Sequence, residues 1–129
     1  MRPRALLITT AALELPTGLA LLLMPAVVGV VLLGEELVEP ASFVIARVAG
    51  TALVAIGASC WLARNGEGAS RRTDLIVGLF IYNAAVTVLL GHAAVVLGMR
   101  GILLWPAVVV HTALALWCVA CLRELAPRP

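Results

Sequence analysis

The stretch LIVGLFIYNAAVTVLLGHAAVVLG, residues 75–98, indicates the fold class of the chain, because it contains no Asp, Glu, Lys or Arg. A helix of about twenty apolar residues is long enough to cross the hydrocarbon core of a bilayer. The apolar residues here are continuous rather than alternating with polar ones, which favours a helix over a strand of a membrane barrel. The stretch therefore predicts a transmembrane helix.

Three further stretches have the same apolar character. We predict a single domain over residues 1–129 with four spans, at about 5–24, 41–63, 75–98 and 102–122. Pro25 follows the first span, and residues 25–34 either continue that helix past a proline kink, to about residue 33, or form a separate interfacial piece. The predicted fold class is all-α: a polytopic membrane protein built as an antiparallel bundle of four transmembrane helices.

Composition agrees with a membrane protein. Hydrophobic residues make up 63% of the chain and charged residues 12%, against about 45–50% and 25% in soluble domains. A soluble domain of 129 residues could not bury so much apolar surface. The net charge of +2 is too small and too scattered for nucleic acid binding, so the expected partner is the lipid bilayer.

The placement of arginine predicts the orientation of the chain. Arginines occur before the first span, in the loop of residues 64–74 and in the C-terminal tail, whereas the loop of residues 35–40 has three glutamates and no arginine. We therefore expect both termini on the cytoplasmic side of a bacterial-type cell inner membrane, in a multi-pass protein. The first apolar run carries Glu14 and lacks a convincing cleavage site, so we expect a retained span rather than a signal peptide.

Each predicted span carries one polar or ionisable residue near its middle, and these four are Glu14, Arg47, Asn83 and His111. A charged side chain at the centre of a bilayer costs at least about 2.5 kcal/mol unless it is paired or hydrated. Counted along ideal helices, the four residues lie within about 8 Å of one another in depth. We predict that they form a polar cluster and take them as candidate ligand- or proton-binding residues.

Three interpretations of this cluster stay open. In the first, Glu14 and Arg47 form a buried ion pair that holds two helices together, while Asn83 and His111 form interhelical hydrogen bonds. In the second, the cluster is a site for a ligand, a proton or a substrate, because ionisable residues inside membranes commonly mark such sites. Docking to another membrane subunit is a third use of the same residues.

Four secondary candidate residues lie on the first three predicted spans. Thr17 lies three residues after Glu14, and Thr51 lies four residues after Arg47, so each extends the polar face of its helix. Tyr82 and His92 are the other two, on the third predicted span.

The chain shows no clear pattern for a cofactor or a metal. His92 and His111 could be considered as haem ligands, but their depths differ by about 10 Å, which suits two ligands of one iron poorly. Cys118 and Cys121 have Cys-x-x-Cys spacing but fall on the last turns of a membrane helix, where cysteine commonly acts as a small apolar filler. We therefore expect neither a cofactor nor a bound metal.

A glutamate midway along the first of four short helices resembles the plan of the small multidrug resistance transporters, which use such a residue as a shared proton and drug site. The resemblance covers only Glu14 and the overall layout. The residues that follow it, Leu15-Pro16-Thr17-Gly18, differ from the pattern of that family. Arg47 and His111 have no counterpart there, so the sequence does not place the chain in the family.

The sequence contains no nucleophile elbow, no phosphate-binding glycine loop and no His-Glu-x-x-His pattern, so we assign no catalytic residues. The favoured function is that of a non-enzymatic integral membrane protein, either an accessory subunit of a larger complex or a bundle that binds a small lipophilic ligand. One alternative is a proton-coupled small-molecule transporter in which Glu14 carries the proton and His111 relays it. A membrane enzyme acting on a lipophilic substrate is a further alternative. A membrane-protein partner or a homo-oligomer is compatible with each.

Overall fold

The computed structural model describes residues 3–66 and 69–125, and within these ranges the chain is helical with no strands. The helices are α1 (Pro3–Leu23), α2 (Pro25–Leu33), α3 (Pro40–Ala63), α4 (Ala69–Val95) and α5 (Leu104–Leu125). All but α2 are long and apolar enough to cross a membrane, with a mean hydropathy of 1.8 or 1.9 over their most apolar windows. The expected all-α fold class is confirmed.

Helix bounds differ from the predicted spans at several helix ends. Helix α4 begins at Ala69, well before the predicted start at residue 75, and α5 runs to Leu125 rather than to residue 122. Hydropathy marks the part of a helix that suits lipid, whereas arginine is a good helix former and lets the same helix continue into water. Polar residues that sequence reasoning placed in a loop or a tail therefore belong to the helix ends.

Residues 25–33 form a separate helix rather than an extension of the first span. Met24 has non-helical backbone angles, with φ −134° and ψ 53°, and Pro25 starts α2 at a position where its missing N–H is no loss. With nine residues, α2 is about 13 Å long, which is too short to span a bilayer. The chain therefore turns after α1 and α2 lies against the ends of other helices.

The long helices pack as two antiparallel pairs, α1 with α3 and α4 with α5. Gly18 of α1 faces Gly50 of α3 so closely that a Cβ atom on Gly50 would lie 2.7 Å from the carbonyl oxygen of Gly18. Seven residues further along α3, a Cβ on Gly57 would lie 2.7 Å from Cγ of Leu15. Small residues at such contacts let the two backbones approach, as is common where helices associate in membranes.

One half of the molecule is filled by a compact apolar core. This half holds the start of α1, the end of α3, the start of α4 and the end of α5, and we call its extremity the arginine-rich end after Arg4, Arg64, Arg71, Arg72 and Arg123. Its buried core consists of Leu6, Leu7, Ala11, Cys60, Ile76, Leu79, Leu114, Cys118 and Cys121. The three cysteines form no disulfide with one another and fill space in this core.

Helix α2 lies across the opposite half, which we call the roofed end. The backbone N–H of Arg100 donates to the carbonyl of Leu33 at 3.2 Å, and that of Leu103 donates to Val31 at 3.0 Å. A Cβ on Gly101 would overlap the carbonyl oxygen of Leu32. The turn between α4 and α5 therefore fixes the last turn of α2 over this end of the helices.

Candidate functional site

Glu14 lies in the interior of the helix bundle, halfway along α1, and is only 3% exposed. The hydroxyl of Tyr82, on α4, donates a hydrogen bond to its Oε2 atom at 3.1 Å. No Arg, Lys or His among the described residues forms an ion pair with Glu14. The site therefore contains a buried carboxyl group whose interior partner is a phenol rather than a cation.

Asn83 and His111 form a second polar pair, between α4 and α5. Asn83 is fully buried, and its Nδ2 donates to the carbonyl of Leu79 at 2.8 Å. Its Oδ1 lies 2.8 Å from Nδ1 of His111. Because Oδ1 can only accept a hydrogen bond, Nδ1 of His111 must be the donor. The opposite amide orientation is excluded, since it would place Oδ1 against another carbonyl oxygen.

The rings of Tyr82 and His111 connect the two pairs. Their centroids are 5.6 Å apart with an interplanar angle of 83°, an edge-to-face contact of the kind that aromatic rings favour. Glu14, Tyr82, Asn83 and His111 together form what we call the polar layer. The polar layer joins α1, α4 and α5 at the boundary of the apolar core that faces the roofed end.

A cavity of about 650 Å³ lies between the polar layer and α2. Three members of the polar layer, Glu14, Tyr82 and His111, border it, and Thr17 is the other hydroxyl-bearing residue on its wall. The rest of the wall is apolar and comes from all five helices and the turn before α5: Leu13, Pro16, Ala20, Leu21, Val27, Val28, Val31, Leu32, Leu53, Val86, Leu90, Leu103, Pro106, Ala107, Val110 and Leu114. The cavity is therefore an apolar chamber with its polar groups gathered on a few side chains.

The cavity reaches the outside of the helix bundle. Val27, Leu103 and Val110 border it and are 54%, 50% and 39% exposed. Its volume lies within the range of about 300–1,000 Å³ typical of small-molecule sites, and an apolar wall with a few orienting polar groups is also typical of them. The arrangement suits a lipophilic molecule with one polar group.

The structure places the secondary candidates differently from one another. Thr17 borders the cavity, but its hydroxyl donates to the carbonyl of Leu13 at 2.8 Å within α1. Thr51 is exposed, and its hydroxyl donates to the carbonyl of Arg47 at 2.9 Å. His92 is exposed near the end of α4. Of these four, only Tyr82 makes a polar contact with a primary candidate side chain.

Arg47 lies apart from the polar layer. Its side chain is exposed, it does not border the cavity, and no described interaction joins it to Glu14. The packing of α1 on α3 places Leu15 against Gly57, ten residues and therefore about 15 Å along α3 from Arg47. Sequence positions alone put the two charges at similar depths, whereas the packing register separates them. The ion pair expected in one interpretation is absent from the described residues.

Two features of the site carried little or no signal in the sequence. Helix α2 contributes four apolar wall residues, and an apolar nonamer gives no indication that it covers a cavity. Thr10 lies one turn before Glu14, fully buried, with a hydroxyl that has no described hydrogen-bond partner. In the sequence, only its position four residues before Glu14 indicates that Thr10 lies on the same face of the helix.

The described residues contain no group of three or more His, Cys, Asp or Glu side chains placed to hold a metal ion. The polar groups that border the cavity include the carboxyl of Glu14, the phenol of Tyr82 and the imidazole of His111, each hydrogen-bonded to another side chain of the protein. Comparison of the chain with protein-family models, curated proteins and solved structures gives no match.

Proposed function

We propose that this chain is a small integral membrane protein that binds a lipophilic small molecule in the cavity beneath α2. The observation that carries the proposal is the cavity of about 650 Å³. Its wall is mostly apolar, with Glu14, Tyr82 and His111 at one end. A carboxyl group buried without a cation is costly. A site that keeps one beside an apolar cavity is better suited to a ligand than to packing alone.

The bilayer supplies such a ligand in this proposal. Four helices are long and apolar enough to span it, and exposed residues such as Val27 and Val110 border the cavity. A lipophilic molecule dissolved in the membrane would reach the cavity through this side without crossing water. The proposed location is the cell inner membrane, with the arginine-rich end facing the cytoplasm as the arginine distribution favours.

Proton-coupled transport is the second candidate, and the buried Glu14 favours it, because a carboxyl group there can exchange a proton for a ligand. The packing on the other side of the polar layer favours binding over transport. Leu79, whose carbonyl accepts a hydrogen bond from Asn83, belongs to the buried apolar core on the side of the arginine-rich end.

Filling the cavity tests the proposed function. Ala107 borders the cavity, and Ala107→Phe should displace a ligand, whereas Ala113 is exposed on the same helix and Ala113→Phe serves as the matched control. Each protein is purified from its membranes in a mild detergent. The bound small molecules are then extracted, and mass spectrometry identifies them and measures their amount. We expect a lipophilic molecule in near-stoichiometric amount with the wild type and Ala113→Phe, and at least tenfold less with Ala107→Phe.

Equal recovery of that molecule from folded Ala107→Phe would contradict the proposal. The same purification tests the accessory-subunit alternative, because a partner of that kind would appear as a second membrane protein in stoichiometric amount. Recovery of such a protein with no small molecule would favour the accessory role.

A further inference from the structure

The polar layer constrains the chemistry of the ligand. On the basis of the proposed function, we propose that the ligand carries a hydrogen-bond donor, an N–H or O–H group, and that this group binds Nε2 of His111. The inference concerns the headgroup of the molecule in the cavity beneath α2.

The argument begins with the tautomer of His111. Nδ1 carries the hydrogen, because it lies 2.8 Å from Oδ1 of Asn83 and the Asn83 amide is oriented by its bond to Leu79. In a neutral imidazole the other nitrogen is then an acceptor. Nε2 has no hydrogen-bond partner among the described residues, and His111 borders the cavity. The ring therefore leaves one unused acceptor for the occupant.

The hydroxyl groups around the cavity have already used their hydrogens. The hydroxyl of Tyr82 donates to Glu14, and that of Thr17 donates to the carbonyl of Leu13. Glu14 has a second oxygen, Oε1, for which no described side chain supplies a donor. Apart from a proton on Glu14 itself, the polar wall of the cavity therefore offers acceptors and lacks free donors.

A ligand with only acceptor atoms in its headgroup would leave Nε2 unpaired in an apolar chamber. The loss of a hydrogen bond to a buried acceptor typically weakens binding by about tenfold. A headgroup with an N–H or O–H group satisfies Nε2 and can approach Glu14 as well. Hydroxyl and amine headgroups share this chemistry, so the experiment includes both.

Two matched pairs of ligands test the inference. Decan-1-ol is compared with its methyl ether, which has the same chain but no O–H, and decylamine is compared with decyltrimethylammonium, which keeps the positive charge but has no N–H. Binding to the full chain in lipid nanodiscs is followed by the shift of the thermal unfolding midpoint at equal mole fractions of ligand in the lipid. We expect the donor of at least one pair to bind about tenfold more tightly than its partner, and the favoured pair identifies the headgroup as a hydroxyl or an amine.

Variants locate the atom responsible. In His111→Leu the preference for the donor should disappear, whereas in Val86→Ala it should persist, because Val86 borders the cavity without a polar atom. A preference that persists in folded His111→Leu would overturn the assignment to Nε2. If His111→Leu does not fold, the wild-type comparison still tests whether the ligand needs a hydrogen-bond donor.

The outcomes for the function and for the headgroup are distinct. If the ether and the quaternary ammonium bind as tightly as their donor partners, the inference about the headgroup is overturned while ligand binding stands. If none of the four compounds binds to the wild type, the proposed function fails, and the headgroup inference fails with it.

Discussion

Glu14 shows how much the environment of a single residue depends on its neighbours. A buried carboxylate needs a cation or several hydrogen-bond donors to offset the loss of water. The structure gives it one phenol, from Tyr82, and an adjacent cavity, while Arg47 is exposed on another helix. This arrangement separates two residues that one interpretation of the sequence joined in an ion pair.

Independence of Glu14 and Arg47 is the prediction at this scale. Residues this far apart, with no shared partner, contribute additively to the free energy of unfolding within about 0.5 kcal/mol. We expect the double variant Glu14→Ala/Arg47→Ala to lose the sum of the two single losses, as measured by denaturant unfolding in micelles. A double variant that is clearly more stable than Glu14→Ala would instead demonstrate an ion pair, because removing Arg47 would then relieve an unpaired charge.

A matched cycle with Tyr82→Phe controls this measurement. Tyr82 donates to Glu14 at 3.1 Å, so Glu14→Ala and Tyr82→Phe should be coupled by about 0.5 kcal/mol or more. The absence of coupling in both cycles would show that the assay does not resolve interactions of this size.

At the scale of the elements, the close contact of α1 and α3 depends on glycine. The Cβ of an alanine at position 50 would meet the backbone carbonyl of Gly18 at 2.7 Å, and a backbone atom cannot turn aside as a flexible side chain can. The Gly50 contact also sets the register that carries Arg47 away from Glu14. The position of one small residue thus decides which side chains of the two helices meet.

Alanine at two glycines should therefore have opposite effects. Gly50→Ala should lower the free energy of unfolding by about 1–3 kcal/mol, because the helices must separate. Gly78 of α4 has no atom within 4 Å of an added Cβ, so Gly78→Ala should be neutral or stabilising by up to about 1 kcal/mol through helix propensity. Denaturant unfolding of both variants in the same micelles measures the difference, and equal losses would contradict the packing of α1 on α3.

At the scale of the whole molecule, the two ends of the helix bundle differ both in charge and in packing. The arginine-rich end lies beside the filled apolar core, whereas the roofed end carries the glutamates of the loop between α2 and α3 and lies beside the cavity. From the positive-inside rule we propose that the arginine-rich end faces the cytoplasm. The cavity would then lie in the half of the membrane away from the cytoplasm.

Cysteine labelling tests this orientation. Asn65 and Val38 are exposed at opposite ends of the molecule, while Cys60, Cys118 and Cys121 are fully buried and should react slowly. In intact cells a membrane-impermeant maleimide should label Val38→Cys at least tenfold more than Asn65→Cys, and permeabilised cells should label both. Preferential labelling of Asn65→Cys in intact cells would reverse the orientation.

The fold class follows from sequence, whereas the polar contacts require the packed helices. Long uncharged segments such as residues 75–98 must form helices in an apolar solvent, because each backbone group needs a partner within its own segment. The same pattern predicts four long helices but does not distinguish the short α2 from a continuation of α1, since both are apolar. The residues in the polar layer could be proposed from their positions, but their pairing could not.

The apolar segments thus predict a helical protein with four helices able to cross a membrane, and Glu14, Asn83 and His111 are unusual in that setting. The contact of Tyr82 with Glu14, the orientation of His111 by Asn83 and the separate position of Arg47 emerge from the packed helices alone. The physical reason is that hydropathy is a property of each segment, whereas helix register and rotation are set by contacts between segments, such as that of Gly18 with Gly50.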